Sequence, residues 1–157
     1  MRRGFEIISK EQFNKDFDKN MEITIKLPKR STKESAGYDI FAPFDIDLPV
    51  GKDIKIPTGL RVHMQKGEFL AIVPRSGLGF KYYSRLANTI GIIDSDYKNS
   101  DNEGHIFVKL TNDSKENKTV IVEAGQGFVQ GLFIPFGITE DDNVSALRNG
   151  GFGSTTR

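Results

Sequence analysis

Ile106-Phe107-Val108-Lys109-Leu110 repeats with a period of two, and Asn112-Asp113-Ser114 then closes the run with turn residues. Successive side chains of a strand point to opposite faces, so Ile106, Val108 and Leu110 share one face and Phe107 and Lys109 the other. Working outward, the same alternation appears at Leu60, Val62 and Met64, at Phe44, Ile46 and Leu48, and at Met21, Ile23, Ile25 and Leu27. Shorter apolar runs occupy 69–73, 119–122 and 128–134. Turn signals such as Pro49-Val50-Gly51 and Pro57-Thr58-Gly59 separate the segments. Many short strands at this spacing predict an all-β sandwich or barrel. No strand–helix–strand rhythm and no internal repeat is visible.

Helical signal is confined to the beginning. Ser9-Lys10-Glu11-Gln12 reads as a capping box, with Ile8 and Phe13 at the staple positions and Phe13 and Phe17 one turn apart. One short amphipathic helix over 9–19 is predicted, packed on the outside of the domain. The expected organisation is a helical N-terminal extension (1–20), a β domain (21–147) and a C-terminal arm (148–157).

A chain of 157 residues fits one domain with a sizeable core. The 22 basic and 21 acidic residues nearly cancel, which argues against a nucleic-acid binder and confines any phosphate chemistry to a local site. The absence of cysteine excludes disulfides and thiolate metal sites. No stretch approaches the roughly 20 apolar residues of a membrane helix. A soluble, cytoplasmic protein is expected, from a bacterial cell or a phage-infected host.

Four segments depart from plain strand patterning. Pro74-Arg75-Ser76-Gly77-Leu78-Gly79-Phe80-Lys81 combines glycines, a hydroxyl and two cations, the makings of an anion cradle without Walker spacing; alone, it could be a glycine-rich hairpin. Gly91-Ile92-Ile93-Asp94-Ser95-Asp96-Tyr97 ends an apolar strand in two acids and a tyrosine. An aspartate there can orient a water, and a solvated turn is the plainer reading. Ala36-Gly37-Tyr38-Asp39 could be a strand edge. Arg148-Asn149-Gly150-Gly151-Phe152-Gly153-Ser154-Thr155 could be a flexible arm or an ordinary tail. The polar run 98–103 is also expected to be mobile. His63 and His105 lack metal-ligand spacing and are expected on the surface or on a strand face.

Taken in order, these segments resemble the motifs of the trimeric dUTPase family, a match running from about Met21 to Thr155. The resemblance implies a jelly-roll β-sandwich, a homotrimer, and active sites shared between subunits, the arm of one closing over the site of another. It implies Mg2+-assisted hydrolysis of dUTP to dUMP and pyrophosphate by water attack at the α-phosphorus, which limits uracil in DNA and supplies dUMP for dTMP synthesis. Arg75, Ser76 and Gly77 would grip the triphosphate. Asn88 and the backbone around Ile92, Ile93 and Phe107 would read uracil. Tyr97 would pack under the deoxyribose, and Asp94 would hold the 3′-hydroxyl and orient the water. Asp39 and Gln130 would support the phosphate and metal-water region. Arg148 would reach the γ-phosphate, Phe152 would cover the uracil, and Gly153, Ser154 and Thr155 belong to the closing arm. Mg2+ would ride on substrate phosphates and waters, with no direct protein ligand.

Three departures from the family pattern stand out. Gly125-Gln126-Gly127 replaces the usual Gly-Asp-Arg, which leaves one arginine missing; Arg85 and Arg157 are candidate substitutes. The 98–103 loop is longer than usual, and the fifth motif is one residue shorter. The added helix and the longer loop are places where a regulatory protein could dock. A dCTP deaminase, which shares the broad fold, would need a glutamate-centred site in place of Asp94 and Tyr97. A dUTPase fold retained for binding, or a purely structural jelly roll, completes the alternatives.

Overall fold

The structure, a computed structural model, describes residues 3–148 and residue 150. Its strands are β1 (Gly4–Ile7), β2 (Lys29–Arg30), β3 (Tyr38–Phe41), β4 (Ile46–Leu48), β5 (Asp53–Pro57), β6 (Leu60–His63), β7 (Glu68–Pro74), β8 (Ser84–Leu86), β9 (Gly91–Asp94), β10 (Phe107–Asn112), β11 (Val120–Val122) and β12 (Gly127–Pro135). Helix α1 spans Lys10–Asp16, helix α2 spans Ser76–Tyr82, and a 3-10 turn covers Tyr97–Asn99. The largest sheet has the order β2-β3-β12-β7-β9; β5-β10-β8, β11-β4 and β1-β6 complete an all-β jelly roll in which every pairing is antiparallel.

The alternation that begins at Ile106 is realised in β10. Ile106, Val108 and Leu110 are buried, while Lys109 faces out. They join Ile40, Ile56, Leu60, Leu70, Ile72 and Phe128 in one core. Each such side chain, once fully buried, contributes roughly 1.5–3 kcal/mol relative to exposure. Asn112 ends the run as a fully buried amide with its partners made: its Nδ2 donates to the Leu48 and Lys118 carbonyls, and its Oδ1 accepts from the Ser114 amide. Among the described residues no helix is long and apolar enough to cross a membrane.

Four expectations need correction. Residues 21–27 alternate as a strand should, yet no strand forms there. Ile25 packs against the core and the Thr24 amide bonds to Pro43 O, but Met21 and Leu27 are about half exposed and no ladder runs beside them. Alternation supplies a face; a strand also needs a neighbour with open backbone groups. Helix is not confined to the beginning of the chain, because the glycine-rich segment 74–81, expected as an anion cradle, enters α2, a helix of seven residues that ends on Tyr83 in the left-handed region. The N-terminal extension (1–20), expected as helical, also carries a strand, since β1 pairs with β6 from Gly4↔His63 to Ile7↔Leu60. The 98–103 run folds into consecutive turns instead of standing free, with Ser100 N bonded to Tyr97 O and Glu103 N to Ser100 O.

Helix α1 follows the predicted cap. Ser9 Oγ accepts from Gln12 N at 3.1 Å, and the Phe13 and Phe17 rings stack with centroids 4.5 Å apart. The reciprocal half of the box is not made, because Gln12 Nε2 donates to Asp16 while Ser9 N donates to Glu103.

Candidate active site

Two groups of side chains form in the chain, one at each end of β7. Val73, Gln130 and Asp39 lie level with one another across β7, β12 and β3. Just beyond β7, the Arg75 guanidinium meets Asp39 Oδ1 at 3.1 Å and donates from Nη1 to Gly127 O at 3.1 Å. Asp39 Oδ2 accepts from Ser31 Oγ at 2.7 Å. Gln130 Nε2 donates to Pro74 O, and its Oε1 fills the space where Gly37 has no side chain: a Cβ there would lie 2.2 Å from that oxygen. Ser76 and Gly77 form the first turn of α2 immediately after Arg75. The β12 register shifts between Gly127 and Val129, a bulge that lets Phe128 enter the core while Gln130 stays level with Asp39.

The position of the missing arginine is occupied in an unforeseen way. A Cβ on Gly127 would lie 2.8 Å from Arg75 Nη1 and 3.2 Å from Arg75 Cδ, so the Arg75 side chain lies in the space that a residue-127 side chain would fill. Arg85, the candidate substitute, is engaged by Asp113 at 2.6 Å instead. Arg157 lies outside the described residues.

The second group surrounds β9. A cavity of about 470 Å³ is lined by Asn88, Gly91, Ile93 and Phe107, together with Ile72, Leu86, Ala87, Lys55 and Lys109. Asn88 comes from the turn between β8 and β9, where Ile90 N bonds to its carbonyl. Within β9, Gly91 and Ile93 face the cavity while Ile92 points away and is 58% exposed. Lys55 and Lys109 escaped the sequence reading. They sit opposite each other in the β5–β10 register, with the Lys55 ammonium 4.5 Å from the Phe107 ring centroid. Only strand pairing brings them together, so the linear sequence carried no signal for them.

Tyr97 is buried, and burial raises its phenol above the ordinary tyrosine value. Its hydroxyl donates to His105 O at 3.1 Å and accepts from Asn102 Nδ2 at 2.9 Å. His105, expected on the surface or on a strand face, is instead fully buried just before β10. Its Nε2 accepts the Gly59 amide at 2.8 Å, so the one ring proton sits on Nδ1 and is donated to Asp16 Oδ2 at 2.5 Å. Burial holds its pKa below the ordinary histidine value, against the pull of Asp16.

Within its own chain, the Arg148 guanidinium bonds Asp94 and meets Asp96 at 2.7 Å. Two carboxylates presented side by side suit the planar fork of a guanidinium. Phe152, Gly153, Ser154 and Thr155 lie outside the described residues.

The two groups do not meet within one chain. Asp94 is opposite Phe69, four residues along β7 from Val73, and Asp39 is three strands across from β9. At ~3.3 Å per residue and ~4.8 Å per strand, Asp39 and Asp94 are about 20 Å apart. A nucleotide's α-phosphorus is joined to its sugar through a single oxygen, so one molecule cannot place its sugar on Asp94 and its α-phosphate beside Asp39 of the same chain.

Among the described residues no cluster of three or more His, Asp or Glu side chains could hold a metal ion. Asp39 has both oxygens engaged, by Arg75 and Ser31.

A family model described as dUTPase matches residues 24–156. The deoxyuridine 5'-triphosphate nucleotidohydrolase of Lactococcus lactis subsp. lactis (strain IL1403) is 44% identical over 156 residues, 98% of this chain and 97% of that protein. The crystal structure of dUTPase from Streptococcus mutans superposes with a TM-score of 0.67 at 36% identity, covering 87% of this chain and 98% of that one. A mutant dUTPase from phage phi11 of S. aureus, described with a structural Mg(II) ion, shares the fold with a TM-score of 0.68 at 18% identity over 93% of this chain and 98% of its own. With its fold, its ordered motif segments and these matches in agreement, the chain belongs to the dUTPase family.

Proposed function

We infer that the protein hydrolyses dUTP to dUMP and pyrophosphate, at sites completed between subunits of a homotrimer. The observation that carries this reading is β9 in a family member: Ile93, with Asn88 and Phe107, lines a cavity, and Asp94 and Tyr97 follow Ile93 in the chain at the end of that strand and in the turn after it. Uracil would enter that cavity and pair with backbone groups near Ile93 and Phe107. Cytosine presents a donor where uracil presents an acceptor, and a buried mismatch of that kind costs about 1–3 kcal/mol. The Tyr97 ring, fixed through its hydroxyl, would leave no room for a 2′-hydroxyl.

Asp94 would accept the 3′-hydroxyl bond and a proton from the attacking water. The water oxygen would bond to the α-phosphorus as the bond to the α,β-bridging oxygen breaks, and pyrophosphate would leave with that electron pair. Arg75, the amides of Ser76 and Gly77, and Gln130 would hold the phosphates from a neighbouring subunit. Mg2+, when bound on the triphosphate, supplies neutralisation of its charge. Arg148 would exchange its two carboxylate partners for phosphate as the arm closes, and Phe152, Gly153 and Ser154 would complete that closure.

The ~20 Å separation within one chain makes the shared site testable. Asp94→Asn and Arg75→Ala homotrimers should each be nearly inactive on a panel of nucleoside triphosphates scored for pyrophosphate with and without Mg2+. Mixed trimers refolded from both should recover dUTP activity. Lack of recovery, with intact trimers by sedimentation, removes the shared site; pyrophosphate release from another nucleotide in preference to dUTP removes the substrate.

A further inference from the structure

Two departures from the family pattern, the N-terminal helix and the longer loop after Tyr97, turn out to be bonded to each other. At the N-terminal end of α1, Ser9 N and Oγ donate to the two oxygens of Glu103, at 3.0 and 2.5 Å. At its C-terminal end, Asp16 Oδ2 accepts from the fully buried His105 ring at 2.5 Å and from Gln12 Nε2 at 2.6 Å. The helix therefore spans the loop, pinned at both ends.

What lies on the other side of this pin is the nucleoside wall. The His105 carbonyl receives the Tyr97 hydroxyl, and Asn102, inside the loop, donates to the same hydroxyl. The His105 ring stands 4.4 Å from the Phe107 ring, centroid to centroid, with Phe17 of the helix segment 6.0 Å away on His105. Gly104, at φ 75°, lets the loop close on itself: a Cβ there would lie 2.6 Å from Lys98 Cα. Tyr97, proposed to pack against the sugar, and Phe107, which lines the cavity, thus both meet His105 from behind. His105 in turn is held by Gly59 N on one nitrogen and by Asp16 on the other.

We propose that α1 and residues 98–105 form a clamp that sets the place of Tyr97 and Phe107, with Asp16 and Glu103 as positioning residues for discrimination between deoxyribose and ribose. This rests on the dUTP reading above. Exclusion of a single hydroxyl depends on where a ring stands to within a fraction of an ångström, and a ring held only by its own loop has more freedom than one backed by a helix. Removing the Asp16 acceptor leaves a buried imidazole N–H unpaired, and His105 then has reason to shift and take the Tyr97 hydroxyl with it. Neither Asp16 nor Glu103 would touch substrate.

The measurement is the ratio of kcat/KM for dUTP to that for UTP in the full chain, for wild type, Asp16→Ala, Asp16→Asn, Glu103→Ala and Glu103→Gln. Asp16→Ala should lower the ratio about tenfold through KM and UTP turnover, with kcat for dUTP within about twofold, the scale of one lost buried hydrogen bond; Glu103→Ala, whose bonds to Ser9 are exposed, should lower it about two- to threefold. Asp16→Asn and Glu103→Gln keep an acceptor oxygen and should retain the ratio. An unchanged ratio in folded Asp16→Ala or Glu103→Ala overturns the clamp, even if either melts earlier. Should Asp16→Ala fail to fold, the two Glu103 variants decide alone, since Glu103 is a partly exposed side chain. Wild type that releases no pyrophosphate from dUTP sinks the functional reading and the clamp together; active wild type with unchanged variant ratios sinks the clamp only.

Discussion

Replacing Gly127 with alanine puts a methyl carbon 2.8 Å from Nη1, 3.2 Å from Cδ and 3.3 Å from Cζ of Arg75. No Cβ tolerates the first of these, so the guanidinium must shift, at the expense of its contacts with the Gly127 carbonyl and Asp39. The Arg75 side chain is 43% exposed, and the atom nearest the new methyl is the end of a flexible chain. The lost pair is therefore a half-solvated one, and folding stability should fall by only about 0–1 kcal/mol. Catalysis should suffer more. A phosphate-binding group lost from its aligned position costs about 3–4 kcal/mol at the upper end, or roughly 100–1,000-fold in kcat. Because Arg75 can still reach the phosphate region from a new rotamer, a loss of about 10–100-fold in kcat/KM for dUTP is expected. The assay is a double-mutant cycle read by steady-state pyrophosphate release, with thermal melts alongside. If Gly127 matters only as room for Arg75, then Gly127→Ala should cost nothing further in an Arg75→Ala background. Two independent, additive losses, or a Gly127→Ala variant with normal kcat/KM, would refute the idea that the guanidinium needs this space.

Three other perturbations probe the site. Asp94→Asn should lower turnover by at least about 100-fold while affinity for a non-hydrolysable dUTP analogue is retained, because the amide keeps a 3′-hydroxyl contact but cannot take a water proton; normal turnover would remove the base. Tyr97→Ala should admit UTP, measured as a rise in its kcat/KM relative to dUTP, and unchanged discrimination would end the steric role. His105 gives a pH dependence of defined sign: its folded-state pKa is lowered, so below the unfolded value near 6.5 the unfolded chain binds a proton that the folded chain refuses. Its contribution is present above that pH and is lost as pH falls towards the lowered folded value, by up to about 1.4 kcal/mol per unit. Urea midpoints between pH 7.5 and 5.5 should therefore fall more steeply for wild type than for His105→Gln; parallel curves would show that His105 does not titrate as described.

The linear pattern by itself determined the strand content, the helix cap and the motif segments. The period of two at 106–110 and 60–63 is a local consequence of which face meets the core, and Ser9 caps α1 through a bond only three residues long. Alternation alone misled at 21–27, where side chains have a face to fill but the backbone has no ladder to join. What the tertiary structure decided were facts of register and long-range contact. Lys55 reaches Lys109 across fifty-four residues of sequence, Asp16 reaches His105 across eighty-nine, and the Arg75 side chain lies over Gly127 across fifty-two. The separation of Asp39 from Asp94 likewise follows from the order of four strands and their pairing offsets. Such distances depend on which backbone groups pair, a choice made collectively by the whole core, whereas a face, a cap or a turn is settled within a few residues by the chain's own geometry.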